Sequence, residues 1–401
     1  MNKQDSIVIT GAGIVSVFGS ELQEFWSRLL EGKRPLPDPD YPSGVMVTNW
    51  DAEALLGRRG LQYLPRSARF LAGASLLAMD AAKLERVSQE PETLGVVVSA
   101  NLTGLKIMSE YDYTAISEGP RYVSPMQAPN TLANAGSSHL GTRIKAQALN
   151  TTISTGQCAG LDAIGYAARM LNASRALRLV VGGVEELNDR VLSCYKHMGV
   201  WSEDSTEWAG RPFLLDSTGW LPGEGAASVI LERASSARER EVQPLAKVLS
   251  WASTTPLGRE ERDSGGTLRR AIKQAVQKAG LGPEVIELVI SGASGFSRQD
   301  RAEASALAQY FSSSESVPIC SPKGIMGETY GAGGHFQLIT ALGALKTGYL
   351  PATIPSDLDN QLFSGLNITR DCTAWKYNKG TILLISQDYY GCSSAVVIQN
   401  F

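Results

Sequence analysis

Residues 151–160 read Thr151-Thr152-Ile153-Ser154-Thr155-Gly156-Gln157-Cys158-Ala159-Gly160. A β-rich run from Thr151 to Ser154 meets a tight turn of small residues. Leu161, Ile164, Ala168 and Leu171 then mark one side of a helix. A strand-to-helix elbow of this kind presents one side chain at a helix N-terminus, where unpaired N–H groups and the helix dipole favour negative charge. A thiolate nucleophile suits that seat. A tightly packed corner holding a buried, inert Cys158 accounts for the same residues at least as well. The elbow therefore predicts an α/β chain and leaves its chemistry open.

Working outward, the apolar runs Leu94 to Val98 and Leu179 to Val184 lack period-2 alternation, as strands covered on both faces do. The chain opens with a strand-like run, Ile7 to Thr10, followed by a glycine turn at Gly11 and Gly13. A helix capped by Ser20, with Gln23 three residues on, buries Leu22, Phe25, Trp26 and Leu29 and stops at Gly32. Pro35 to Pro42 is a surface loop. The second half repeats the pattern, with a helix over Leu268 to Ala279 (Leu268, Ile272, Val276 and Ala279 on one face) and a strand over Val285 to Ile290. The charged, small-residue stretch Glu232 to Glu241 links the halves, which divides the chain into residues 1–241 and 242–401. Alternating order over this length predicts two similar layered halves packed together.

Composition narrows the function. The 401 residues carry 37 Lys plus Arg against 40 Asp plus Glu, a net charge of −3, and 43% are apolar. That balance supports a large core, disfavours disorder and offers no basic run for nucleic acid. There are only 3 His and 5 Cys, and the cysteines (Cys158, Cys194, Cys320, Cys372, Cys392) show no CxxC spacing. No metal site or disulfide framework is indicated. The polar start, Met1 to Ser6, and the shortness of every apolar run predict a cytoplasmic protein with no membrane span.

Two further glycine motifs have ordinary readings. Gly11-Ala12-Gly13 lacks the third glycine and the distal acidic residue of a dinucleotide fingerprint, so a nucleotide fold is rejected. Ser321-Pro322-Lys323-Gly324-Ile325-Met326-Gly327-Glu328 continues through Thr329-Tyr330-Gly331-Ala332-Gly333-Gly334-His335 as a glycine-dense loop entering an apolar helix. It has no P-loop spacing, and close backbone packing with a solvated Lys323 would explain it.

Taken in order, these motifs resemble the β-ketoacyl synthases of fatty-acid and polyketide assembly. The landmarks are Ile7 to Ser16, Pro129-Asn130, Gly182-Gly183-Val184-Glu185, Arg211-Pro212-Phe213, Gly223-Glu224-Gly225-Ala226 and the glycine-rich loop. The resemblance runs over nearly the whole chain. It implies a thiolase-like, five-layered αβαβα fold with two topologically similar halves, forming a dimer.

The catalytic positions of that family are altered. Its cysteine lies three residues before the elbow glycine, and counting back from Gly160 reaches Gln157. Its first histidine lies eight residues before the Asp of an Asp-x-x-Glu pair, here Asp300 and Glu303, and that position is Gly292. Its second histidine position is Glu328, and the motif lysine remains as Lys323. The closing Gly-Phe-Gly-Gly loop reads Asp388-Tyr389-Tyr390-Gly391, and His139, His197 and His335 fall on no catalytic position. A carboxamide cannot form the acyl thioester, and the donors for enolate and oxyanion are missing. Lys323 is expected to neutralise a buried carboxylate such as Glu328, because an unpaired buried lysine is costly.

A glutamine elbow is similar to that of the ketosynthase β subunits, or chain-length factors, of type II polyketide synthases. The resemblance implies a heterodimer with a catalytically complete α subunit, a poly-β-ketone tunnel, and malonyl units borne by an acyl carrier protein. The phosphopantetheine arm would belong to that carrier, and this chain would need no cofactor of its own. Aromatic polyketides are the first expectation, and an aryl polyene assembly line the alternative. Leu105, Met108 and Tyr111 are candidate tunnel-wall residues, and the strand bearing Thr152 and Ser154 is expected to pair antiparallel with the partner. Arg58, Arg59, Arg66 and Arg69 are a candidate contact for an acidic carrier. Malonyl-carrier decarboxylation supplying an acetyl primer is a second reading, against which Gly292 and Glu328 count. A nucleophile relocated to Cys158 is a third, disfavoured because the elbow should turn that side chain away.

Overall fold

The structure is a computed structural model, and it describes residues 5–35, 44–201, 208–311, 317–353 and 365–401. The proline loop expected at Pro35 to Pro42 lies, beyond Pro35, outside the described residues.

Ten strands make the main sheet: β1 (Ile7–Val15), β2 (Leu94–Ser99), β3 (Asn150–Ile153), β4 (Arg178–Glu185), β5 (Gly225–Arg233), β6 (Ala246–Thr254), β7 (Leu288–Ile290), β8 (Ile319–Cys320), β11 (Thr381–Gln387) and β12 (Ser393–Asn400). A separate pair joins β9 (Tyr349–Leu350) to β10 (Thr373–Ala374). The spatial order is β3-β2-β4-β5-β1 in the first half, and β8-β7-β11-β12-β6 repeats it in the second. In each half the three strands farthest from the join run parallel and the remaining pairings are antiparallel. The halves meet where β1 pairs antiparallel with β6, from Ile7 opposite Val248 to Ile9 opposite Ala246.

This arrangement follows from burial. Every residue of β2 and all but the first of β4 are buried, as their unbroken apolar runs predicted. The helices Ala159–Asn172 and Gly333–Thr347 pack against each other and against strands of both halves, forming the middle layer. They touch through two glycines: a Cβ on Gly160 would stand 2.8 Å from the Cα of Gly334. Helix Arg66–Ala81 covers the first half from outside, and helix Gly266–Lys278 covers the second. The sandwich is the thiolase-like fold with duplicated topology that the resemblance implied.

Several local expectations change. Gly11 and Gly13 make no turn, and β1 runs straight through them to Val15. Their small size serves the outer helix instead. A Cβ would lie 2.2 Å from the Ala78 carbonyl oxygen at Gly11 and 2.3 Å from that of Ala74 at Gly13. Ser20 does not cap the first helix, which covers Leu22–Glu31 and has Glu21 at its N-cap with no side-chain bond. Ser16 and Gly19 exchange both backbone hydrogen bonds, so the helix enters after Ser20. That helix does bury Phe25, Trp26 and Leu29 and ends on Gly32 in the left-handed region. The strand expected from Val285 is shortened to Leu288–Ile290, because Pro283–Val285 forms a 3-10 turn. Glu232 and Arg233 belong to β5 and Ala234–Glu239 is helical, so the connection between halves is shorter than its composition suggested.

The glycine contact in β1 is open to test. Gly13→Val should lower unfolding stability by about 4 kcal/mol or more, because a backbone carbonyl blocks the new side chain. Gly258→Ala, where nothing lies within 4 Å, should change it by less than about 0.5 kcal/mol. Urea unfolding of both variants measures the difference.

Candidate functional site

The elbow is held rigidly before any catalytic chemistry is considered. Asn101 brackets Gly156, donating from Nδ2 to its carbonyl oxygen at 3.0 Å and accepting its N–H on Oδ1 at 3.0 Å. The Thr155 hydroxyl donates to Asp162 Oδ2 at 2.7 Å, and the Ser386 hydroxyl donates to the Gln157 carbonyl oxygen at 2.9 Å. A 3-10 turn, Gly156–Cys158, then delivers the chain into the helix at Ala159.

The folded chain brings Gln157, Gly292 and the Lys323–Glu328 pair together from three separate segments. Gln157 is 1% exposed, and its Nε2 donates to Glu328 Oε2 at 2.7 Å. Lys323 Nζ donates to the same oxygen at 2.8 Å and to the Gly292 carbonyl oxygen at 3.0 Å. Glu328 Oε1 accepts the backbone N–H of Tyr330 at 2.8 Å. A carboxylate only accepts, so it fixes which end of the Gln157 carboxamide faces it. The opposite end, Oε1, accepts from Gln299 Nε2 at 2.7 Å, and Gln299 also donates to the Gln387 carbonyl oxygen at 3.1 Å.

Sequence reasoning missed Gln299. Its one available signal was adjacency to Asp300 on the helix Ser297–Tyr310. Lys323 meets Glu328 as expected, 3% and 0% exposed at their side chains. Gly292 leaves no space for a side chain: a Cβ would stand 2.8 Å from the Ile385 carbonyl oxygen and 2.9 Å from Ser386 Cα.

The remaining reactive groups point elsewhere. Cys158 is fully buried and its Sγ faces the carbonyl oxygens of Ser386 and Cys392, at 3.4 and 3.2 Å. Burial, with Asp162 and Asp388 nearby, pushes its thiol well above the ordinary range, the reverse of an activated nucleophile. His335 is buried with Nδ1 3.3 Å from the Ser99 hydroxyl, and burial lowers its pKa to about 3. His139 meets Asn130, and His197 meets the Ser193 carbonyl on the surface. The Asp388-Tyr389-Tyr390-Gly391 loop closes over the elbow, with Arg298 donating to the Tyr389 carbonyl oxygen at 2.8 Å and lying over its ring. No group of His, Cys, Asp and Glu able to hold a metal occurs among the described residues, and no helix among them is long and apolar enough to cross a membrane.

The peripheral candidates separate. Leu105 packs beside the aromatic cluster of Tyr195, Trp220 and Tyr330, Met108 is 41% exposed, and Tyr111 lines a surface cleft of about 330 Å³ with Tyr63 and Tyr122. Steps of three residues keep all three on one side of the helix Leu105–Ser117, within about 120° of arc. Thr152 and Ser154 turn their hydroxyls to the Ser137 hydroxyl and the Ala100 carbonyl, at 2.8 and 2.5 Å. The arginine cluster is largely spent within the fold. Arg58 pairs with Glu53, Arg66 with buried Glu224, and Arg69 donates to the Leu64 carbonyl oxygen.

Two outcomes follow from this site. Lys323→Ala leaves Glu328 buried without its cation and should cost about 3–5 kcal/mol, whereas Lys323→Met with Glu328→Gln removes both charges and should recover most of that loss. Denaturant melts of the single and double variants decide it. The second concerns pH. Burial raises the carboxyls of Glu185 and Glu303 to about 8 from 4.5, and those of Asp300 and Asp388 to about 6 from 3.8. Protons bound in the folded state and absent from the unfolded one stabilise fully below the unfolded values, and that stabilisation is lost as pH rises through the folded ones. His335 acts oppositely, contributing above 6.5 and losing its contribution as pH falls toward about 3. Thermal midpoints should therefore fall as pH rises from about 5 to about 8 and level off above that, and Glu303→Gln should flatten the decline.

Comparison with known proteins agrees with this geometry. The sequence model of the β-ketoacyl synthase N-terminal domain matches residues 4–237, and that of the C-terminal domain matches residues 246–357. The tetracenomycin polyketide synthase ketoacyl synthase beta subunit of Streptomyces glaucescens is 30% identical over 88% of this chain and 89% of its own length. A solved structure described as the ishigamide ketosynthase/chain length factor superposes with TM-score 0.89 at 19% identity, covering 99% of this chain and 100% of that one. Another, of a type II polyketide synthase acyl-carrier protein in complex with its hexaketide-bound ketosynthase, superposes at 0.82 with 20% identity and full coverage of both chains. With both domain models matched in order over one continuous fold, the chain belongs to the β-ketoacyl synthase family, on the branch of the type II polyketide ketosynthase β subunits.

Proposed function

We propose that this chain is the non-catalytic member of a ketosynthase heterodimer, pairing with a complete α subunit and shaping the tunnel in which a poly-β-ketone grows from malonyl-carrier protein. The observation that carries the reading is the Gln157 carboxamide, fixed at both ends by Glu328 and Gln299 where a condensing enzyme needs a free thiolate. The bond to Glu328 weighs against decarboxylation here, since it takes one of the two carboxamide N–H donors and sets a carboxylate beside the other. The phosphopantetheine arm belongs to the carrier, and the protein works in the cytoplasm.

Two surface features support the place proposed for the partner. Strand β3 ends the ten-stranded sheet, and Met108, Tyr113, Ile116, Met126 and Leu132, all between β2 and β3 in the chain, are exposed at 41–87%. Exposed apolar side chains and an open sheet edge both suit a protein interface. The β3 edge pairs antiparallel with its counterpart, and Met108 and its neighbours meet the α subunit near the tunnel. Aromatic polyketides are the product class proposed, in keeping with the tetracenomycin relative.

Reconstitution tests this. The chain mixed with a candidate α subunit, carrier protein and malonyl donor should give polyketide, read as product mass. Neither subunit alone should elongate. Polyketide made by this chain by itself would overturn the reading.

A further inference from the structure

The end of the first helix carries a charge that the fold does not offset. Arg34 follows Gly32, where the helix Leu22–Glu31 stops, and its guanidinium turns inward to three backbone carbonyls. Nε donates to Gly324 at 2.8 Å, Nη1 to Ala209 at 2.8 Å and Nη2 to Gly210 at 2.5 Å. All three acceptors are neutral. Among the described residues no carboxylate lies close enough to act on Arg34, whereas the guanidinium of Arg211 does. Burial, and then Arg211, push its pKa down to about 10, so it remains a cation at neutral pH. A cation taken from water without a counter-charge is costly to the fold.

Arg34, Arg211 and Arg370 line one cavity of about 350 Å³. Two carboxylates that also line it do not make up the deficit. Glu31 already pairs with Arg28 at 3.3 Å, Asp371 is exposed, and neither acts on Arg34. Arg34 commits three of its five N–H donors to carbonyls, which leaves one on each terminal nitrogen for a further acceptor. A carboxylate offers two oxygens, enough for one guanidinium. A phosphoryl group offers three or more, enough to serve Arg34 and Arg211 together, and it matches the guanidinium fork. Gly324 is the residue after Lys323, so an anion on Arg34 also acts on the helix Lys323–Met326, which carries the buried cation of the site.

We propose that this cavity binds a phosphoryl oxyanion at Arg34 and Arg211, with Arg370 beside them. The anion supplies the counter-charge that the fold leaves out. It fastens the end of the first helix to the segment Ala209 to Arg211 and to the helix bearing Lys323. Only groups of this chain take part, so the site stands apart from the heterodimer reading.

Calorimetric titration of inorganic phosphate into the purified full chain, in chloride buffer of matched ionic strength, tests the site. One phosphate per chain with a Kd of about 1 mM or tighter is expected, and it should raise the thermal midpoint with saturation. Arg34→Met should abolish that binding. Arg370→Gln, which leaves the three carbonyl bonds intact, should weaken it about tenfold. Arg58→Gln, at a surface ion pair elsewhere, should leave it unchanged. Circular dichroism checks that each variant folds, and Arg370→Gln carries the test alone if Arg34→Met does not. Glycerol 3-phosphate distinguishes the source: tighter binding than phosphate assigns an ester, weaker binding the free ion. Stabilisation that rises without saturation and persists in both variants is exclusion of the salt from the protein surface, an adventitious ion only. That result, or a Kd weaker than about 1 mM, would overturn the site.

Discussion

A lysine ammonium and a glutamate carboxylate lie 2.8 Å apart with almost no exposure to water, and the centre of this molecule is organised around them. Burying either charge alone would cost several kcal/mol, so each requires the other, and both require further hydrogen bonds. Lys323 finds the Gly292 carbonyl, while Glu328 finds the Tyr330 N–H and the Gln157 carboxamide. The pair sets the orientation of Gln157, Gln157 sets that of Gln299, and Gln299 reaches the strand-end carbonyl of Gln387.

The network also lies on the seam of the duplicated fold. Gln157 comes from the elbow of the first half, and Gly292, Gln299, Lys323, Glu328 and Ser386 come from the second. Strand pairing between the halves covers three residue pairs of β1 and β6, and a backbone bridge joins Pro222 to Glu328 itself. Close packing of the central helices at Gly160 and Gly334 supplies more, and the polar chain adds directional contacts that fix the halves in one register. The seam is filled by the protein's own side chains.

The sequence foretold the elements by different signals, with unequal success. Unbroken apolar runs located β2 and β4, and strand followed by small residues and a helical stripe located the elbow, because burial and turn sterics are local in sequence. Motif spacing brought Gln157, Gly292, Lys323 and Glu328 to one place before any coordinates, and the cost of an unpaired lysine foretold its partner. Gly11 and Gly13 were misread as a turn because their real constraint is the helix Arg66–Ala81, more than fifty residues away. Gln299 escaped for the same reason: only the fold carries it to Gln157, 142 positions earlier. Arg66 looked like a surface charge in a basic cluster until Glu224, 158 residues on, became its partner. What local chemistry dictates was readable, and what two distant segments decide together was not.

Charge at the centre argues most directly about chemistry. Decarboxylative condensation passes through an enolate and an oxyanion, which need donors or positive charge beside them. Glu328 puts a carboxylate at one of the positions concerned, and Lys323 is already neutralised by it. A developing anion there meets an ion pair with no positive charge left over, and forgoes the stabilisation that a free cation would give. Restoring a cysteine at Gln157 would not supply that stabilisation, and Gly292 has no space for an imidazole without moving β11. The nucleophile position is therefore one of three changes that belong together: an ion pair occupies the centre of the site, and the packing at Gly292 leaves no room for an imidazole.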